Sequence, residues 1–288
     1  MKIVDNFTYF NEIELLELRI KLLRNHVDKF IIMEGNKTFR GDSKQLTCQQ
    51  TLEELGLMSD KIRIVQVDLP SKRDVSDDWA REDAQRDVLA PFITDDMVVI
   101  CSDLDEIMDP DCIKYFATTA LQHPNSIFRI PMWWISGRGD LQLTSPNGLS
   151  AANMCAFIGL PHHFRTHKVS EIRKSYARQL NNLKYPDAII TENGNYKIAG
   201  WHITWMGDRE RILKKFNSIS SHEGLLHNSP GKGDDAVIND FLKSYVPHNG
   251  STDPLGRSDH ILRPFNTELL PKLIWELPRV RKLLFPES

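Results

Sequence analysis

Asp103 and Asp105 are the residues whose spacing most directly suggests chemistry. They sit in Met97-Val98-Val99-Ile100-Cys101-Ser102-Asp103-Leu104-Asp105-Glu106-Ile107, where an apolar run passes straight into a cluster of acids. Residues two apart in an extended chain project to the same side. Two carboxylates on one side can share a hard divalent cation, and such a cation can hold a diphosphate. The D-x-D pair therefore marks a candidate metal and phosphate site.

Such a site needs a scaffold that presents it. A short continuous apolar run reads as a strand buried on both faces, as in the middle of a mostly parallel sheet. The acids then fall at the carboxyl end of that strand, where open α/β sheets place their ligands. The preceding chain supplies matching elements. Residues 2–9 read as a first strand, and Asn11 with Glu14 three residues later suits the capping box of a helix. That helix carries Ile13, Leu16, Ile20 and Leu23 at near-helical spacing, with Arg19 among the residues assigned to its polar side. Val27 to Met33 reads as a second strand, ending in the polar loop Glu34-Gly35-Asn36-Lys37-Thr38-Phe39-Arg40-Gly41, a ligand-facing candidate. A short helix near Thr51–Leu55 and a third strand, Ile62 to Val67, follow.

Trp79 to Leu89 reads as a helix leading to the acidic strand, with Glu82, Gln85 and Arg86 on one face. Arg86 is placed either to reach a phosphate at the sheet edge or to pair with Glu82 or Asp83 on the surface. Pro110 suits the first position of the next helix. Ser126 to Trp134 reads as a strand with an aromatic end, Trp133-Trp134, suited to stacking on a sugar face or to the core. Residues 136–198 give no clear elements. The neighbours His162 and His163 point in different directions and make a poor metal pair. Ala199 to Gly207 has aromatic and β-branched strand character. Its His202 lies among apolar residues, where a satisfied core histidine is the ordinary reading. A helix over Arg209–Ser218 and another within residues 231–243 are expected.

Composition narrows the function class. At 288 residues, 41% hydrophobic and 26% charged, the chain suits a soluble α/β domain, with 1–245 as the main unit and 246–288 as an extension packed on it. A net charge of −3 gives no nucleic-acid signal. Cys48, Cys101, Cys112 and Cys155 lack disulfide or zinc spacing, which predicts reduced thiols and a cytoplasmic setting. Lys2-Ile3-Val4 already looks like a strand, with no apolar leader behind it. No run approaches the roughly 18 apolar residues that cross a bilayer. Leu269–Phe285 mixes apolar residues with Lys272, Arg279, Arg281 and Lys282, but Pro271 and Pro278 interrupt it. Packing on the domain is the preferred reading, and peripheral contact with the inner face of a membrane is the alternative.

Four stretches together resemble glycosyltransferase family 17. They are Phe10-Asn11-Glu12 followed by Leu15 to Arg19; Val27-Asp28-Lys29-Phe30 running to Thr38-Phe39-Arg40-Gly41; Ser102 to Ile107; and Ala199-Gly200-Trp201-His202. The resemblance implies a GT-A type nucleotide-sugar-binding fold, with a mostly parallel central sheet flanked by helices. It also implies a UDP-sugar donor, with N-acetylglucosamine the sugar its best-known members transfer, a glycan acceptor, Mn²⁺ or Mg²⁺, and inversion at the transferred sugar. His202 stands where related GT-A enzymes carry a late histidine on the metal. The absence of an N-terminal anchor favours a surface or lipid-linked glycan as acceptor.

On that reading Asp105 is the first choice of metal ligand, and Asp103 meets the metal, a metal-bound water or the ribose. Glu34 is a candidate for the nucleoside, and Arg86 or Lys44 for the diphosphate. Inversion needs a base opposite the leaving group. Glu223, Asp208 and Glu192 are candidates, and Glu223 and Asp208 are equally suited to capping a helix or pairing with a cation. Competing readings are a haloacid-dehalogenase-like phosphatase, an inactive glycan-binding relative and a Ca²⁺ module on Asp103, Asp105, Asp109 and Asp111. The phosphatase reading uses Gly233-Asp234-Asp235 and Asn239-Asp240 as its last motif, but Ile107 stands where its first motif wants Thr or Val. The Ca²⁺ module lacks its turn glycine, and Pro110 intrudes.

Overall fold

A computed structural model describes residues 1–75, 78–144, 153–174, 190–192, 195–216, 218, 247–251 and 260–286. Its elements in chain order are β1 (Lys2–Tyr9), α1 (Ile13–Leu23), β2 (Lys29–Gly35), α2 (Cys48–Glu54), β3 (Ile62–Val67), α3 (Asp78–Arg86), β4 (Met97–Asp103) and β5 (Glu106–Met108). Next come α4 (Pro110–Gln122), β6 (Phe128–Ser136), β7 (Leu141–Thr144), β8 (Asn153–Gly159), α5 (Pro161–Thr166), α6 (Val169–Lys174), β9 (Ile190–Glu192) and β10 (Asn195–Lys197). The chain ends with β11 (Gly200–Thr204), α7 (Arg209–Phe216), β12 (Ile261–Pro264), α8 (Leu273–Glu276) and α9 (Pro278–Leu284).

The main sheet runs β12-β7-β6-β8-β4-β1-β2-β3. β3, β2, β1 and β4 are mutually parallel, and β8 joins β4 antiparallel. Strand β4 is buried on both faces, as its unbroken apolar run predicts. Val98 and Ile100 face a core shared with α1, α4 and the C-terminal helices. Val99 and Cys101 face a second core that includes Leu89, Phe164 and Ile172. Period-2 alternation on β2 does the same, with Phe30 and Ile32 on one side and Ile31 and Met33 on the other.

Several element boundaries differ from expectation for identifiable reasons. Glu12, not Asn11, occupies the cap position of α1, and it makes no side-chain cap there. β2 begins two residues late, at Lys29, and the Asp28 side chain just before it accepts the Ile3 amide at 2.7 Å. The helix from Trp79 stops at Arg86 and tightens into a 3₁₀ turn over Asp87–Phe92, where Pro91 cannot continue an α-helix. The region with no clear elements supplies β7, β8, α5, α6, β9 and β10; β7 and β8 join the main sheet, and β9 and β10 pair with each other. At the other end, Ile274, Leu277, Val280 and Leu284 of the C-terminal segment are buried in the same core as α1, and β12 pairs with β7. Among the described residues no helix is long and apolar enough to cross a membrane.

Short β5 and β11 form a side layer that matters for the site. β11 lies between β5 and β6, bringing His202 opposite Glu106 on one side and Trp134 on the other. Gly200 makes this approach feasible, since a Cβ there would sit 2.5 Å from the Ile107 carbonyl oxygen.

Candidate functional site

A cavity of about 1180 Å³ opens at the carboxyl ends of β1 and β4. Thr8, Tyr9, Asp103 and Asp105 line its floor, Trp79, Glu82 and Arg86 of α3 one wall, and His202, Thr204 and Lys215 another. Arg173 of α6 reaches in beside Arg86.

The two aspartates do not alternate along an extended strand. Asp103 ends β4, and Leu104-Asp105 form a turn into β5. Both still line the same cavity, because the turn is fixed from beneath by Arg19. That side chain is wholly buried, against its expected place on a polar helix face. Its guanidinium forks onto both Asp5 oxygens at 2.8 and 2.6 Å and donates to the Ser102 hydroxyl at 2.6 Å. Nη1 also donates to the carbonyl oxygens of Asp103, Leu104 and Glu106 at 2.6, 3.3 and 3.0 Å. The planar fork suits this multiple role, which a point charge would not.

Asp103 is gripped by cations. Arg86 Nη2 lies 2.7 Å from Oδ2 and 2.9 Å from Oδ1, Arg173 Nη2 lies 2.9 Å from Oδ2, and the Thr8 hydroxyl lies 3.3 Å from Oδ1. Burial alone would raise this carboxyl's pKa, but Arg173 and Arg86 outweigh it and hold the group down to about 2. Glu106, an acid not singled out from sequence, fixes this arrangement. It accepts the Asp103 amide at 2.7 Å and pairs with Arg173 at 3.0 Å. Arg86 also pairs with Glu82, so the two alternatives for Arg86 coexist: it is in the cavity and it is ion-paired.

Asp105 faces a different set. Its Oδ2 is 3.3 Å from Lys215 Nζ and 3.6 Å from His202 Nε2. Burial again opposes its charge, and Lys215 and His202 together push its pKa well below the ordinary range. Conversely, burial lowers the His202 pKa but facing Asp105 raises it, with a net upward shift. The His202 ring stacks on Trp134 with centroids 5.9 Å apart.

The donor chemistry bears on a divalent ion as follows. Among the described residues no three His, Cys, Asp or Glu side chains converge as a preformed metal cage. Asp105 and His202 present one oxygen and one nitrogen at a separation suited to two ligands about 2.1 Å from a common ion. Ions of the Mg²⁺ type are commonly held by one or two side chains plus substrate phosphates and water, so these two residues fit. Asp103, with both oxygens on guanidinium groups, does not fit a direct ligand role.

Glu34 and Lys44 lie outside the cavity. Glu34 Oε1 accepts the Thr47 and Cys48 amides at 2.7 and 3.1 Å, satisfying the open N-terminus of α2. Lys44 pairs with that same oxygen at 3.2 Å and donates to the Gly35 carbonyl. The nucleoside and diphosphate roles expected for them are therefore corrected to a structural one. Asp208 lines the cavity and accepts the Arg211 amide at 2.9 Å, capping α7. Glu223 and the phosphatase-motif acids Asp234, Asp235 and Asp240 lie outside the described residues, and only the strand backbone at Glu192 is described. The Ca²⁺ module is not formed, because Asp109 caps α4, accepting the Asp111 amide at 3.1 Å. His162 and His163 share α5 and do not line the cavity.

Residues 1–127 match the model of glycosyltransferase family 17, which bears out the resemblance over that part of the chain and supports a glycosyltransferase activity. No curated protein matches significantly. Among solved structures, S. aureus TarS 1–349 is 12% identical with a TM-score of 0.41, covering 83% of this chain and 68% of its own. The galactosyltransferase LgtC in complex with donor and acceptor sugar analogs is 13% identical with a TM-score of 0.38, covering 86% and 98%. A 4-diphosphocytidyl-2C-methyl-D-erythritol synthase is 11% identical with a TM-score of 0.37, covering 67% and 95%. At these scores the likenesses carry no argument.

Proposed function

We propose that this glycosyltransferase transfers a sugar, N-acetylglucosamine being the first candidate, from a UDP-sugar to a glycan hydroxyl with inversion and with the help of Mn²⁺ or Mg²⁺. The observation that carries the reading is the meeting, in one cavity at the carboxyl ends of β1 and β4, of the Asp105–His202 pair with the guanidinium groups of Arg86 and Arg173. Asp105 and His202 would hold the ion, which supplies positive charge to the departing diphosphate.

The chain's own cations do the remaining electrostatic work. Arg86 and Arg173 are oriented in advance by Asp103 and Glu106, so their donors need little reorganisation to meet phosphate oxygens. Asp103 is thus a positioning residue in this mechanism, not a ligand. Of the candidate bases, Asp208 is the one described at the cavity wall, and Glu223 remains a candidate from sequence. Either would take the acceptor hydroxyl's proton from the face opposite the leaving group.

A thermal-shift screen against nucleotide-sugars, with and without Mn²⁺, tests donor and metal together. The reading expects one UDP-sugar to stabilise the protein more with the metal than without it. Stabilisation that ignores Mn²⁺ for every UDP-sugar would refute the metal-dependent part. In the same protein, Asp208→Asn should abolish transfer while leaving that stabilisation in place; retained transfer would remove Asp208 as the base.

A further inference from the structure

Lys215 holds a place at this site that the metal-dependent reading does not explain. Its ammonium lies 3.3 Å from Asp105 Oδ2, 3.3 Å from Glu12 Oε1 and 3.5 Å from the Thr204 hydroxyl. It also sits 5.5 Å from the centre of the Trp205 ring, on which a cation is attracted. Four partners from three separate segments make a built seat for one positive charge. Trp205 has φ +58°, a conformation seldom adopted by a bulky residue and maintained only where surrounding structure enforces it. Gly207 follows with φ +105° and turns the chain directly into α7, which carries Lys215.

Asp105 Oδ2 is also the oxygen nearest His202, so it is the oxygen an ion held by both residues would need. A divalent ion and an ammonium cannot both claim it without strong repulsion at a separation of a few ångströms. Glu12 offers the ammonium a second anchor once Asp105 is taken. A diphosphate, with negative charge of its own, could accept both cations.

We infer that Lys215 is a resident counter-cation that competes with the divalent ion for Asp105, so that the ion binds well only together with a nucleoside diphosphate. The inference rests on the metal reading above and adds an order to it. Without donor, Lys215 neutralises Asp105. With donor, the ion takes Asp105 and Lys215 turns to Glu12 and the diphosphate. By linkage, the ion and the diphosphate must strengthen each other's binding equally.

The test is direct Mn²⁺ binding, by electron paramagnetic resonance of free Mn²⁺ or by calorimetry, with and without saturating UDP. The wild type should bind Mn²⁺ weakly alone and much more tightly with UDP. Lys215→Met should raise UDP-free affinity by roughly tenfold or more and shrink the UDP effect, because the repelling charge is gone. Lys215→Arg keeps the charge and should not show the rise. Lys214→Met removes the neighbouring cavity-lining charge, which has no contact with Asp105, and should leave affinity near wild type. Equal and measurable Mn²⁺ affinity in wild type and Lys215→Met overturns the inference while leaving the metal site standing. A rise of the same size in Lys214→Met or Lys215→Arg overturns it too. No Mn²⁺ uptake by any variant, with or without UDP, refutes the metal site itself and the competition with it.

Discussion

Replacing Arg19 separates the stability of the D-x-D turn from the chemistry above it. Arg19 and Asp5 are both fully buried and joined at 2.6 Å. Removing one partner of such a pair leaves an uncompensated charge in the core, at a cost of about 3–5 kcal/mol. Three carbonyl oxygens lose their shared donor as well. Arg19→Met should therefore consume a large part of a typical folding stability of about 5–15 kcal/mol and lower Tm by roughly 10 °C. Adding Asp5→Leu removes the stranded carboxylate. The double variant should recover at least ~1 kcal/mol relative to the sum of the single losses. Its turn still lacks the donor, so turnover should stay low although the fold is partly rescued. Arg19→Lys keeps the charge but lacks a planar fork to span Asp5, Ser102 and the turn carbonyls, so it should cost turnover more than stability. Denaturant melts of the wild type, Arg19→Met, Asp5→Leu, the double variant and Arg19→Lys beside UDP-sugar turnover give the answer. Additive losses in the double variant, or wild-type turnover in Arg19→Lys, would show that the fork neither compensates Asp5 nor holds the turn.

Three further outcomes follow from the same geometry. Asp105→Ala should reduce turnover of the UDP-sugar in Mn²⁺ by ~100-fold or more, as loss of a group stabilising developing charge commonly does, and undiminished turnover would remove it from the mechanism. Glu34→Gln should lower stability by about 1–3 kcal/mol through the weakened α2 terminus while leaving UDP affinity unchanged, measured by melts and calorimetry. His163 is buried, and burial followed by its neighbour His162 lowers its pKa to about 4 from 6.5. The unfolded chain then binds the proton more readily. Stability from this residue is complete above pH 6.5 and is lost as pH falls toward about 4, and a His163→Leu variant should show a flatter acid limb in melts from pH 7 to 4.

The sequence disclosed the scaffold better than the site it carries. Continuous apolar runs made β1, β2 and β4 readable, because a parallel strand buried on both faces has few other ways to look. The position of Asp103 at a strand end followed from the same pattern. Arg19 escapes the pattern because charge ordinarily signals exposure, whereas this side chain is fully buried. Yet Leu15, Arg19 and Leu23 recur at i, i+4 and i+8 along one buried stripe, a spacing that puts Arg19 under the strand ends. Arg173 and Lys215 carried no comparable signal. They meet the aspartates across sequence separations of 70 and 110 residues, which only the folded chain closes. Glu34 failed in the opposite direction: an acid at a strand end looked free for a ligand, when the open amides of α2 already required it.

The larger consequence concerns how the two aspartates divide their work. A shared-ligand reading treats them as equivalent halves of one metal clamp. Their neighbours differ too much for that. Asp103 is surrounded by guanidinium groups that cannot be deprotonated, so its negative charge serves to aim Arg86 and Arg173. Asp105 faces an imidazole and an ammonium, partners that can yield the carboxylate to an incoming ion. Substituting Asn at each position should therefore have different signatures. At Asp103 it should free the two arginines and weaken UDP binding even without metal. At Asp105 it should spare metal-free UDP binding and remove the strengthening by Mn²⁺. Identical losses in both variants, measured by UDP calorimetry with and without Mn²⁺, would restore the symmetric clamp and defeat the division of labour argued from the cations.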